Sequence, residues 1–254
     1  MTRALRVAVV FPDLLGTYGD GGNGLILARR AEWRGHRTEL LQAVSDRPVP
    51  DADAYCLGGG EDGPQVRAAR TLIDDGTLAA RVKDGAVVLA VCAGFQIVGR
   101  SFPGAEGEAQ EGLGLLDMET VKGRGPRAVG EVVAEPIGLP ELPVLTGFEN
   151  HGGRTTLGTG TVALGQVTHG VGNGDGGEGA VSGRVVGTYL HGPVLARNPG
   201  LADLLLSWAL GEEVQLLPAL DDAAAESLRT ERLDAVAGRR RRRRRRRRER
   251  QPEP

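Results

Sequence analysis

The first half of the chain alternates short apolar runs with amphipathic stretches of helical period. The apolar runs are rich in Val, Leu and Ala and predict buried strands. We expect strands at 6–11, 36–41, 54–57 and 86–91, with helices at 25–34, 64–74 and 77–83. Strands that alternate with helices indicate an α/β fold with a mostly parallel, doubly wound sheet flanked by helices.

The second half of the chain has a different pattern. Over 112–187 the apolar runs are short and separated by Gly or Pro, which predicts antiparallel or mixed strands joined by hairpins. A helix is expected at 198–210, with Asn198 as its N-cap and Pro199 in its first position. We expect one folded domain over residues 1–217.

The charge of the chain is divided between a basic end and an acidic remainder. Residues 239–254 hold 11 arginines and 2 glutamates, a net charge of +9, whereas the remainder carries −11. Ten consecutive arginines repel one another and bury no surface, so this end is expected to be a disordered tail after a helical extension over 218–238. The tail is either a solvated extension or an electrostatic contact with anionic lipid or nucleic acid. Because no recognition motif accompanies it, we expect no specific nucleic-acid partner.

Composition excludes several classes of protein. No apolar run approaches the roughly 18 residues that a membrane-spanning helix needs, and the first apolar run leads into a Pro-Asp turn rather than a signal-peptide cleavage site. The two cysteines are too few for a disulfide framework, and no zinc-type ligand cluster or other metal site is indicated. We therefore expect a cytoplasmic protein with reduced cysteines.

The strongest chemical signal is a cysteine at the end of an apolar strand. Cys92 follows the run at 86–91 and precedes Ala93 and Gly94, in a segment at 92–99 that predicts a turn into a helix. This is the pattern of a nucleophile elbow, in which small residues allow a sharp turn and let substrate approach the sulfur. The N-terminus of the following helix favours a thiolate. A buried core cysteine is the alternative.

A glycine run follows the strand that contains the other cysteine, Cys56, which we predict to be a core residue. The backbone N–H of Gly59 or Gly60 is a candidate oxyanion donor beside that of Ala93, and an ordinary loop is the alternative. The glycines at 19–24 do not match the register of a dinucleotide-binding motif. No Walker A motif is present, so this chain is not expected to hold its own ATP.

A cysteine nucleophile needs a base, and four histidines are available. His191 ends an apolar strand and is followed by Gly-Pro, which places it on the rim where α/β sites form. His151 lies in a Glu-Asn-His-Gly-Gly loop, while His36 and His169 lie in polar or Gly-rich turns. Spacing alone does not decide between His191 and His151.

Five segments around these candidates form a combination typical of one enzyme family. They are Phe-Pro-Asp-Leu at 11–14, Thr-Tyr-Gly-Asp at 17–20, Leu-Gly-Gly-Gly-Glu-Asp at 57–62, Val-Cys-Ala-Gly-Phe-Gln at 91–96 and Tyr-Leu-His-Gly-Pro at 189–193. Together they resemble the cobyric-acid-synthase-like class I glutamine amidotransferases. The resemblance covers about 6–210 and implies the flavodoxin-like fold of that family.

The resemblance also implies roles for individual residues. Cys92 matches the family nucleophile and His191 its catalytic base. Arg127 lies where the family has a glutamine-binding arginine, which would hold the substrate α-carboxylate by a bidentate fork. Many class I members have a Glu two positions after the histidine, but that position here is Pro193. No third member of a triad is therefore assigned.

Within the family, the chain is most similar to the glutaminase subunits of lipid II isoglutaminyl synthase, because of its opening Pro-Asp-Leu and Thr-Tyr-Gly-Asp segments and because no synthetase is fused to it. This similarity implies a heterodimer that delivers ammonia to a MurT-like Mur ligase subunit. The partner would use ATP and Mg to activate the D-glutamate α-carboxyl of lipid II, giving D-isoglutamine in peptidoglycan synthesis. This chain would then need no cofactor of its own and would work at the inner membrane face.

Three other functions stay open from the sequence. The chain could serve another synthetase, such as one in cobalamin assembly. It could be a non-catalytic binding protein, in which case replacing Cys92 would leave all activity intact. It could also be a cysteine hydrolase of the peptidase or esterase type, which would turn over its substrates without a partner.

Overall fold

The computed structural model describes the backbone of residues 3–248 and the side chains of residues 3–238. The strands are β1 (Leu5–Val10), β2 (Thr38–Ala43), β3 (Ala54–Leu57), β4 (Val87–Val91), β5 (Ser101–Pro103), β6 (Ala109–Glu111), β7 (Met118–Lys122), β8 (Ala128–Pro136), β9 (Leu145–His151), β10 (Gly153–Leu157), β11 (Gly165–His169), β12 (Gly177–Glu178), β13 (Ala180–Ser182) and β14 (Val185–Thr188). The helices are α1 (Gly22–Glu32), α2 (Asp62–Asp75), α3 (Thr77–Lys83), α4 (Ala93–Val98), α5 (Val194–Arg197), α6 (Pro199–Leu210) and α7 (Ala223–Arg248), with a 3-10 helix at Val214–Leu216. Among the described residues, no helix combines the length and apolarity that crossing a bilayer requires.

Six strands form the central sheet, in the order β13-β14-β4-β3-β1-β2. Five of them run parallel, and β13, at one edge, runs antiparallel. Every residue of β3 and β4 is buried, as expected for strands of a parallel sheet whose two faces are covered. The predicted α/β fold with a mostly parallel sheet is therefore confirmed.

The parallel strands bring distant parts of the chain to one edge of the sheet. The carboxyl ends of β1, β3, β4 and β14 lie side by side, because these strands are neighbours in the sheet. Ligand sites of α/β proteins form beyond such carboxyl ends. The loop after β1, the glycine run, Cys92 and His191 all follow one of these four strands.

The second half of the chain forms two smaller sheets, in the orders β10-β7-β5-β6 and β12-β11-β8-β9. All their neighbouring strands pair antiparallel except β5 with β7. This confirms the predicted change to antiparallel strands. The long pairing of β8 with β9 holds the end of β9, from Glu149 to His151, beside the central sheet, where the backbone of Phe148 pairs with that of His191.

Asn198 precedes α6 as predicted, but its side chain does not cap that helix. Its Oδ1 accepts the Thr146 N–H at 2.9 Å, and its Nδ2 donates to the carbonyls of Thr146 and Val194, both at 2.8 Å. Asn198 is therefore the N-cap residue that the sequence predicts, but it makes no capping side-chain hydrogen bond. A buried amide satisfies a donor and an acceptor at once, and here it ties α6 to β9 and α5. Pro199 occupies the start of the helix as expected.

The chain beyond the 3-10 helix forms α7, which begins at Ala223 and continues over the arginine run to Arg248. The predicted helical extension is therefore present. The sequence predicts a disordered tail over 239–254, whereas the backbone of 239–248 is helical, and 249–254 lie outside the described residues. Arginine is a good helix former, and each like-charge pair costs only a few tenths of a kcal/mol, so a helix already begun continues.

A cluster of charged side chains holds this extension against the first helix. Arg30, which is 4% exposed, donates from Nε and Nη2 to Asp203 of α6 at 2.7 and 2.8 Å. It also donates from Nη1 and Nη2 to Asp222, just before α7, at 2.6 and 2.8 Å. Arg34 adds bonds to Asp203 at 2.8 Å and to the Pro218 carbonyl at 2.7 Å. Bidentate guanidinium–carboxylate pairs are among the stronger polar contacts in proteins, so this cluster fastens the C-terminal segment to α1 and α6.

Replacing Arg30 with alanine is expected to lower the free energy of unfolding by about 3 kcal/mol, because it leaves Asp222 without its guanidinium partner and Asp203 with Arg34 alone. Arg29 is the matched control, since it lies on the same helix and forms an exposed pair with Glu32 at 2.6 Å. Arg29→Ala should leave stability nearly unchanged, because exposed pairs contribute little. Denaturant unfolding measures both variants, and equal losses in the two would show that the cluster does not stabilise the fold.

Candidate active site

Cys92 lies on a sharp turn between β4 and α4. Its φ is 54° and its ψ is −103°, a left-handed conformation that non-glycine residues rarely adopt. The following turn packs closely against β3, because a Cβ at Gly94 would lie 2.9 Å from the Leu57 carbonyl oxygen. The predicted nucleophile elbow is thus present in the backbone. The cysteine is 6% exposed and borders a pocket.

His191 follows β14, and its side chain faces an acid from the opposite end of the sequence. Its Nδ1 lies 2.8 Å from Asp20 Oδ2, and both side chains are buried. Within the described chain, the buried Nε2 has no hydrogen-bond partner. A carboxylate at Nδ1 holds a proton there, so Nε2 is the nitrogen left to exchange a proton with another group.

Sequence spacing assigned no acid to this histidine, since Pro193 takes the position where the family has a Glu. Asp20 is 171 residues away along the chain. It lies in the glycine-rich loop after β1, and β1 is separated from β14 by two strands of the sheet. The signal that points to it is an acid in a loop at the carboxyl edge of the sheet, within a Thr-Tyr-Gly-Asp segment already singled out.

The surroundings of His191 favour its protonated form. Burial alone lowers the pKa of the imidazole, but the hydrogen bond to Asp20 and the interaction with the nearby Cys92 together raise it to about 10. The imidazolium is therefore the main form at neutral pH. An imidazolium beside a cysteine stabilises the thiolate, which is the reactive form of the side chain.

The loop after β3 must approach the histidine ring closely. A Cβ at Gly59 would lie 2.8 Å from His191 Cε1 and 2.9 Å from Tyr18 Cδ2. The ring of Tyr18 packs on the imidazole, with 4.7 Å between the two ring centroids. Any side chain at position 59 would therefore displace one of these rings.

Gly59→Ala is accordingly expected to lower kcat roughly 100-fold, because an ångström of displacement at a reacting group has about that effect. Gly63→Ala is the matched control. A Cβ at Gly63 meets nothing within 4 Å, and its backbone conformation suits alanine. The effect is measured by steady-state kinetics of glutamine hydrolysis, the reaction that the resemblance implies, for both variants. Circular dichroism checks that both variants are folded. A folded Gly59→Ala variant with wild-type kcat would contradict it.

The three backbone donors predicted for an oxyanion hole are not equivalent. The Gly59 N–H points to Asp20 Oδ2 at 3.0 Å and is engaged with that carboxylate. The N–H groups of Gly60 and Ala93 have no backbone or side-chain acceptor within the described chain, and both residues border the pocket beside Cys92. Gly59 therefore supports the acid in this structure, whereas Gly60 and Ala93 are still candidate donors.

Arg127, the predicted carboxylate-binding residue, lies at the mouth of the same pocket. Its Nε and Nη2 donate to Asn150 Oδ1 at 3.3 and 3.2 Å, and its Nη2 also donates to the Asn150 carbonyl at 3.0 Å. That carbonyl oxygen is 4.0 Å from Cys92 Sγ. The structure thus places the guanidinium next to the cysteine sulfur. Cys92 and Arg127 both line this pocket, which is open to solvent.

His151, the alternative base, is part of the pocket wall. Its Nε2 lies 3.3 Å from Glu149 Oε2 and its Nδ1 lies 3.3 Å from the Gly153 carbonyl. Its ring stacks on that of Tyr189, with 3.7 Å between centroids and an interplanar angle of 10°. Because both nitrogens face acceptors, His151 is suited to hold the wall together, and the geometry favours His191 as the proton-exchanging residue.

The floor of the site is a chain of buried polar side chains. Gln65 donates to Gln96 Oε1 at 2.8 Å, Gln96 donates to the Tyr189 hydroxyl at 3.2 Å, and that hydroxyl bonds to Thr155 at 2.8 Å. Glu178 accepts the Tyr189 N–H at 2.8 Å, and burial raises the pKa of this carboxyl to about 7. Sequence reasoning gave none of them a role, because each is a common residue within a helix or strand.

The second cysteine is a core residue, as predicted. Cys56 is 2% exposed in β3, and burial raises the pKa of its thiol to about 12. A thiol that stays protonated is a poor nucleophile and a poor metal ligand. Within the described residues, no group of His, Cys, Asp or Glu is arranged to hold a metal ion.

The fold and the site define a class, the α/β proteins of the glutamine amidotransferase type. A glutamine amidotransferase from Thermotoga maritima matches 90% of this chain and 93% of its own, with a TM-score of 0.52 and 16% identity. The glutaminase domain of Trypanosoma brucei CTPS matches 85% and 97%, with a TM-score of 0.51 and 12% identity. At these identities the likeness establishes the fold.

The chain belongs to the CobB/CobQ-like glutamine amidotransferase domain family, whose profile matches residues 6–199. The lipid II isoglutaminyl synthase (glutamine-hydrolyzing) subunit GatD of Streptococcus pneumoniae R6 is 36% identical over 244 residues, covering 91% of each chain. The GatD subunit of Staphylococcus aureus N315 is also 36% identical, over 78% of this chain and 81% of its own. Cobyric acid synthase of Mesorhizobium japonicum is 38% identical, but the match covers 45% of that longer protein. These relatives confirm the resemblance drawn from the five sequence segments.

Proposed function

We propose that this chain is the glutaminase subunit of a lipid II isoglutaminyl synthase. A relative that carries this name aligns with 91% of the chain and 91% of its own length at 36% identity. The observation that carries the chemistry is the buried pair of His191 and Asp20, 2.8 Å apart, beside a cysteine on a strained elbow. A thiol, a base and an acid that orients the base are the parts that acyl transfer through a cysteine requires.

The first half-reaction forms a thioester. The Cys92 thiolate attacks the side-chain amide carbon of glutamine, and the carbonyl oxygen gains negative charge that the N–H groups of Gly60 and Ala93 stabilise. His191 Nε2 then gives its proton to the departing nitrogen as the carbon–nitrogen bond breaks. Ammonia leaves, and the glutamyl group stays on the sulfur. Asp20 keeps the Nδ1 proton in place and stabilises the imidazolium throughout.

The second half-reaction returns the enzyme to its starting state. His191 Nε2, now neutral, takes a proton from a water molecule as the oxygen attacks the thioester carbon. The same two N–H groups stabilise the oxyanion, and the carbon–sulfur bond breaks. Glutamate is released, the sulfur leaves as the thiolate, and the proton stays on His191. One glutamine and one water give one glutamate and one ammonia.

Arg127 supplies the binding contact for the far end of the substrate. Its guanidinium is at the pocket mouth, and both Nη1 hydrogens have no acceptor within the described chain. A guanidinium binds a carboxylate through charge-assisted hydrogen bonds, so the glutamine α-carboxylate belongs there. This contact leaves the amide end of the substrate directed toward Cys92.

The ammonia acceptor would lie on a second subunit. The relatives are named as one subunit of a synthase, which motivates a MurT-like Mur ligase as the partner in a heterodimer. That subunit would bind ATP and Mg²⁺ and activate the D-glutamate α-carboxyl of lipid II, and the product would be D-isoglutamine. None of the steps assigned to this chain uses a cofactor.

Transfer of the amide nitrogen tests this function. The full chain with its MurT-like partner, ATP, Mg²⁺ and lipid II is given glutamine labelled with ¹⁵N in the side-chain amide. We expect the label in the stem-peptide amide of lipid II, in an amount that matches the glutamate released. Glutamate release with no label in lipid II would point to another acceptor, such as a cobalamin precursor. No glutamate release would overturn the amidotransferase assignment.

The arginine run would give the assembly an electrostatic contact with the anionic lipids of the membrane that holds its acceptor. A net charge of +9 over residues 239–254 is attracted to anionic lipid head groups, with about 1 kcal/mol for each arginine near the surface. This charge would hold the cytoplasmic complex at the inner membrane face. Vesicle co-sedimentation of the complex with and without 239–254 tests the contact, and equal binding to anionic vesicles would exclude it.

A further inference from the structure

Asn150 touches three groups of the site at once. Its side-chain oxygen and its backbone carbonyl both accept hydrogen bonds from Arg127, and its Nδ2 donates to the Tyr18 hydroxyl at 3.3 Å. Its carbonyl oxygen is also 4.0 Å from Cys92 Sγ. One residue therefore joins the nucleophile, the carboxylate-binding arginine and the ring that packs on His191.

The backbone of Asn150 is fixed by its two neighbours in β9. Glu149, 2% exposed, accepts the N–H groups of Val171 and Gly172, both at 2.9 Å. His151, 1% exposed, stacks on the ring of Tyr189. Because the residues on both sides of it are buried and held by these contacts, the Asn150 carbonyl has a fixed position beside the cysteine.

Arg127 is ordered by its contacts with this fixed residue. It is an exposed residue that follows a segment containing Gly123 and Gly125, and a free arginine side chain loses up to about 2 kcal/mol of rotamer entropy when it is ordered. Three hydrogen bonds to Asn150 order the Nε and Nη2 side of the guanidinium before substrate arrives. The Nη1 side is left for the ligand. A site ordered in advance binds more tightly, because the ordering cost is already met.

We infer that Asn150 is a positioning residue that sets the distance between Arg127, which binds the substrate carboxylate, and the Cys92 nucleophile. It thereby selects glutamine over the shorter asparagine. This inference rests on the proposed glutaminase function. Cys92 Sγ and Arg127 Nη2 flank the same oxygen, at 4.0 and 3.0 Å, so they lie at most about 7 Å apart. The acyl chain of asparagine is one methylene shorter than that of glutamine. Because Asn150 contacts both groups and fixes their separation, the pair suits one acyl-chain length better than the other.

A neutral amide is the suitable side chain for this position. An amide oxygen accepts from the guanidinium without cancelling its positive charge, so the arginine keeps its attraction for a carboxylate. An aspartate of the same size would form an ion pair with Arg127 and compete with the substrate. Asn150→Asp is therefore expected to be more harmful than Asn150→Ala, although it preserves the shape of the side chain.

Binding is measured first, without turnover. Glutamine is titrated by isothermal calorimetry into two proteins, Cys92→Ala and Cys92→Ala/Asn150→Ala, each with the partner subunit. We expect the Kd of the second protein to be about tenfold higher, because it has lost hydrogen bonds to a charged group. Gln110→Ala is the matched control, since Gln110 is an amide that accepts from Arg70 at 3.4 Å outside the pocket. It should leave the Kd unchanged.

Kinetics then separate positioning from a general structural effect. In the Asn150→Ala enzyme we expect KM for glutamine to rise about tenfold with a smaller change in kcat. Its preference for glutamine over asparagine, measured as the ratio of kcat/KM values, should be smaller than that of the wild type. Asn150→Asp should raise KM for glutamine further. The KM effect should disappear for 4-aminobutanamide, a glutamine analogue that lacks the α-carboxylate. It should also disappear in an Arg127→Ala background, since Asn150 acts through that arginine.

Each outcome bears on the inference. An unchanged KM and Kd, or an equal loss with the analogue and in the Arg127→Ala background, would overturn it. If the wild-type complex hydrolyses no glutamine, the proposed function fails and the inference fails with it. If hydrolysis is normal and only the Asn150 effects are absent, the function stands and the positioning role is wrong.

Discussion

Cys92→Ala should abolish glutamine-dependent amidation of lipid II while leaving ammonium-dependent amidation intact. The sulfur is the only protein atom in the proposed mechanism that forms a covalent bond to the substrate carbon, so the loss in kcat is expected to be on the order of 10⁵-fold. Ammonium supplied in excess bypasses this chain and reaches the synthetase subunit directly. Both activities are measured on the same complex, with glutamine or ammonium chloride as the nitrogen source.

Cys56→Ala is the control for this experiment. Cys56 is buried in β3 with a protonated thiol, so its replacement should leave glutamine-dependent activity near the wild-type level. Loss of both activities in Cys92→Ala would mean that the complex has not assembled, which size-exclusion chromatography detects. Retained glutamine-dependent activity would return Cys92 to the status of a core residue and support a non-catalytic protein.

Asp20→Asn is expected to lower kcat by about 10³- to 10⁴-fold with a smaller change in KM. The asparagine side chain keeps the size of the aspartate but can donate a hydrogen bond to His191 Nδ1, which favours the wrong tautomer. It also removes the charge that stabilises the imidazolium. Steady-state hydrolysis of glutamine measures both parameters. Asp13→Asn is the matched control, because Asp13 is an exposed residue of the same loop and bonds to Ser45 away from His191.

The pH profile of the Asp20→Asn variant separates catalysis from folding. The Asp20 hydrogen bond raises the pKa of His191, so its removal lowers that pKa. The proposed first step needs the imidazolium, which is lost as pH rises through the His191 pKa. The wild-type alkaline limb should therefore lie near pH 10, and the limb of the variant should lie at lower pH. A uniform loss at every pH would indicate that Asp20 only supports the fold.

Local sequence pattern predicts the elements of the first half well, because buried parallel strands are continuous β-branched or apolar runs. The predicted strand at 54–57 and helix at 77–83 have the same bounds as β3 and α3. For the second half, the sequence predicts only the class of structure, antiparallel or mixed strands, and not the individual strands. Its strands are short, and their partners depend on contacts such as the Asn198 amide with Thr146, which no local pattern encodes. The arginine run combines two opposing local signals, because repulsion between like charges favours disorder and the helix propensity of arginine favours the helical backbone seen over 239–248.

The candidate site could be predicted in part for the same reason. Cys92 and the glycine run carry local signals, since an elbow and a tight loop each need small residues in fixed positions. The sequence left His191 and His151 as alternatives, and only the contacts with Asp20 separate them in space. Asp20 and Asn150 come from loops and strand ends far from Cys92 in sequence. Their roles follow from the order of strands in the sheet, which is a property of the whole chain.

The charged cluster of Arg30 also limits when the molecule can be completed. Arg30 belongs to the first helix, but Asp203 and Asp222 leave the ribosome 173 and 192 residues later. Until they emerge, the guanidinium lacks both carboxylates, so the contact of α1 with α6 and with the segment before α7 cannot form. Asp20 and His191 join the same two ends of the chain. A growing polypeptide therefore lacks both this cluster and the working site until the residues that complete them have emerged.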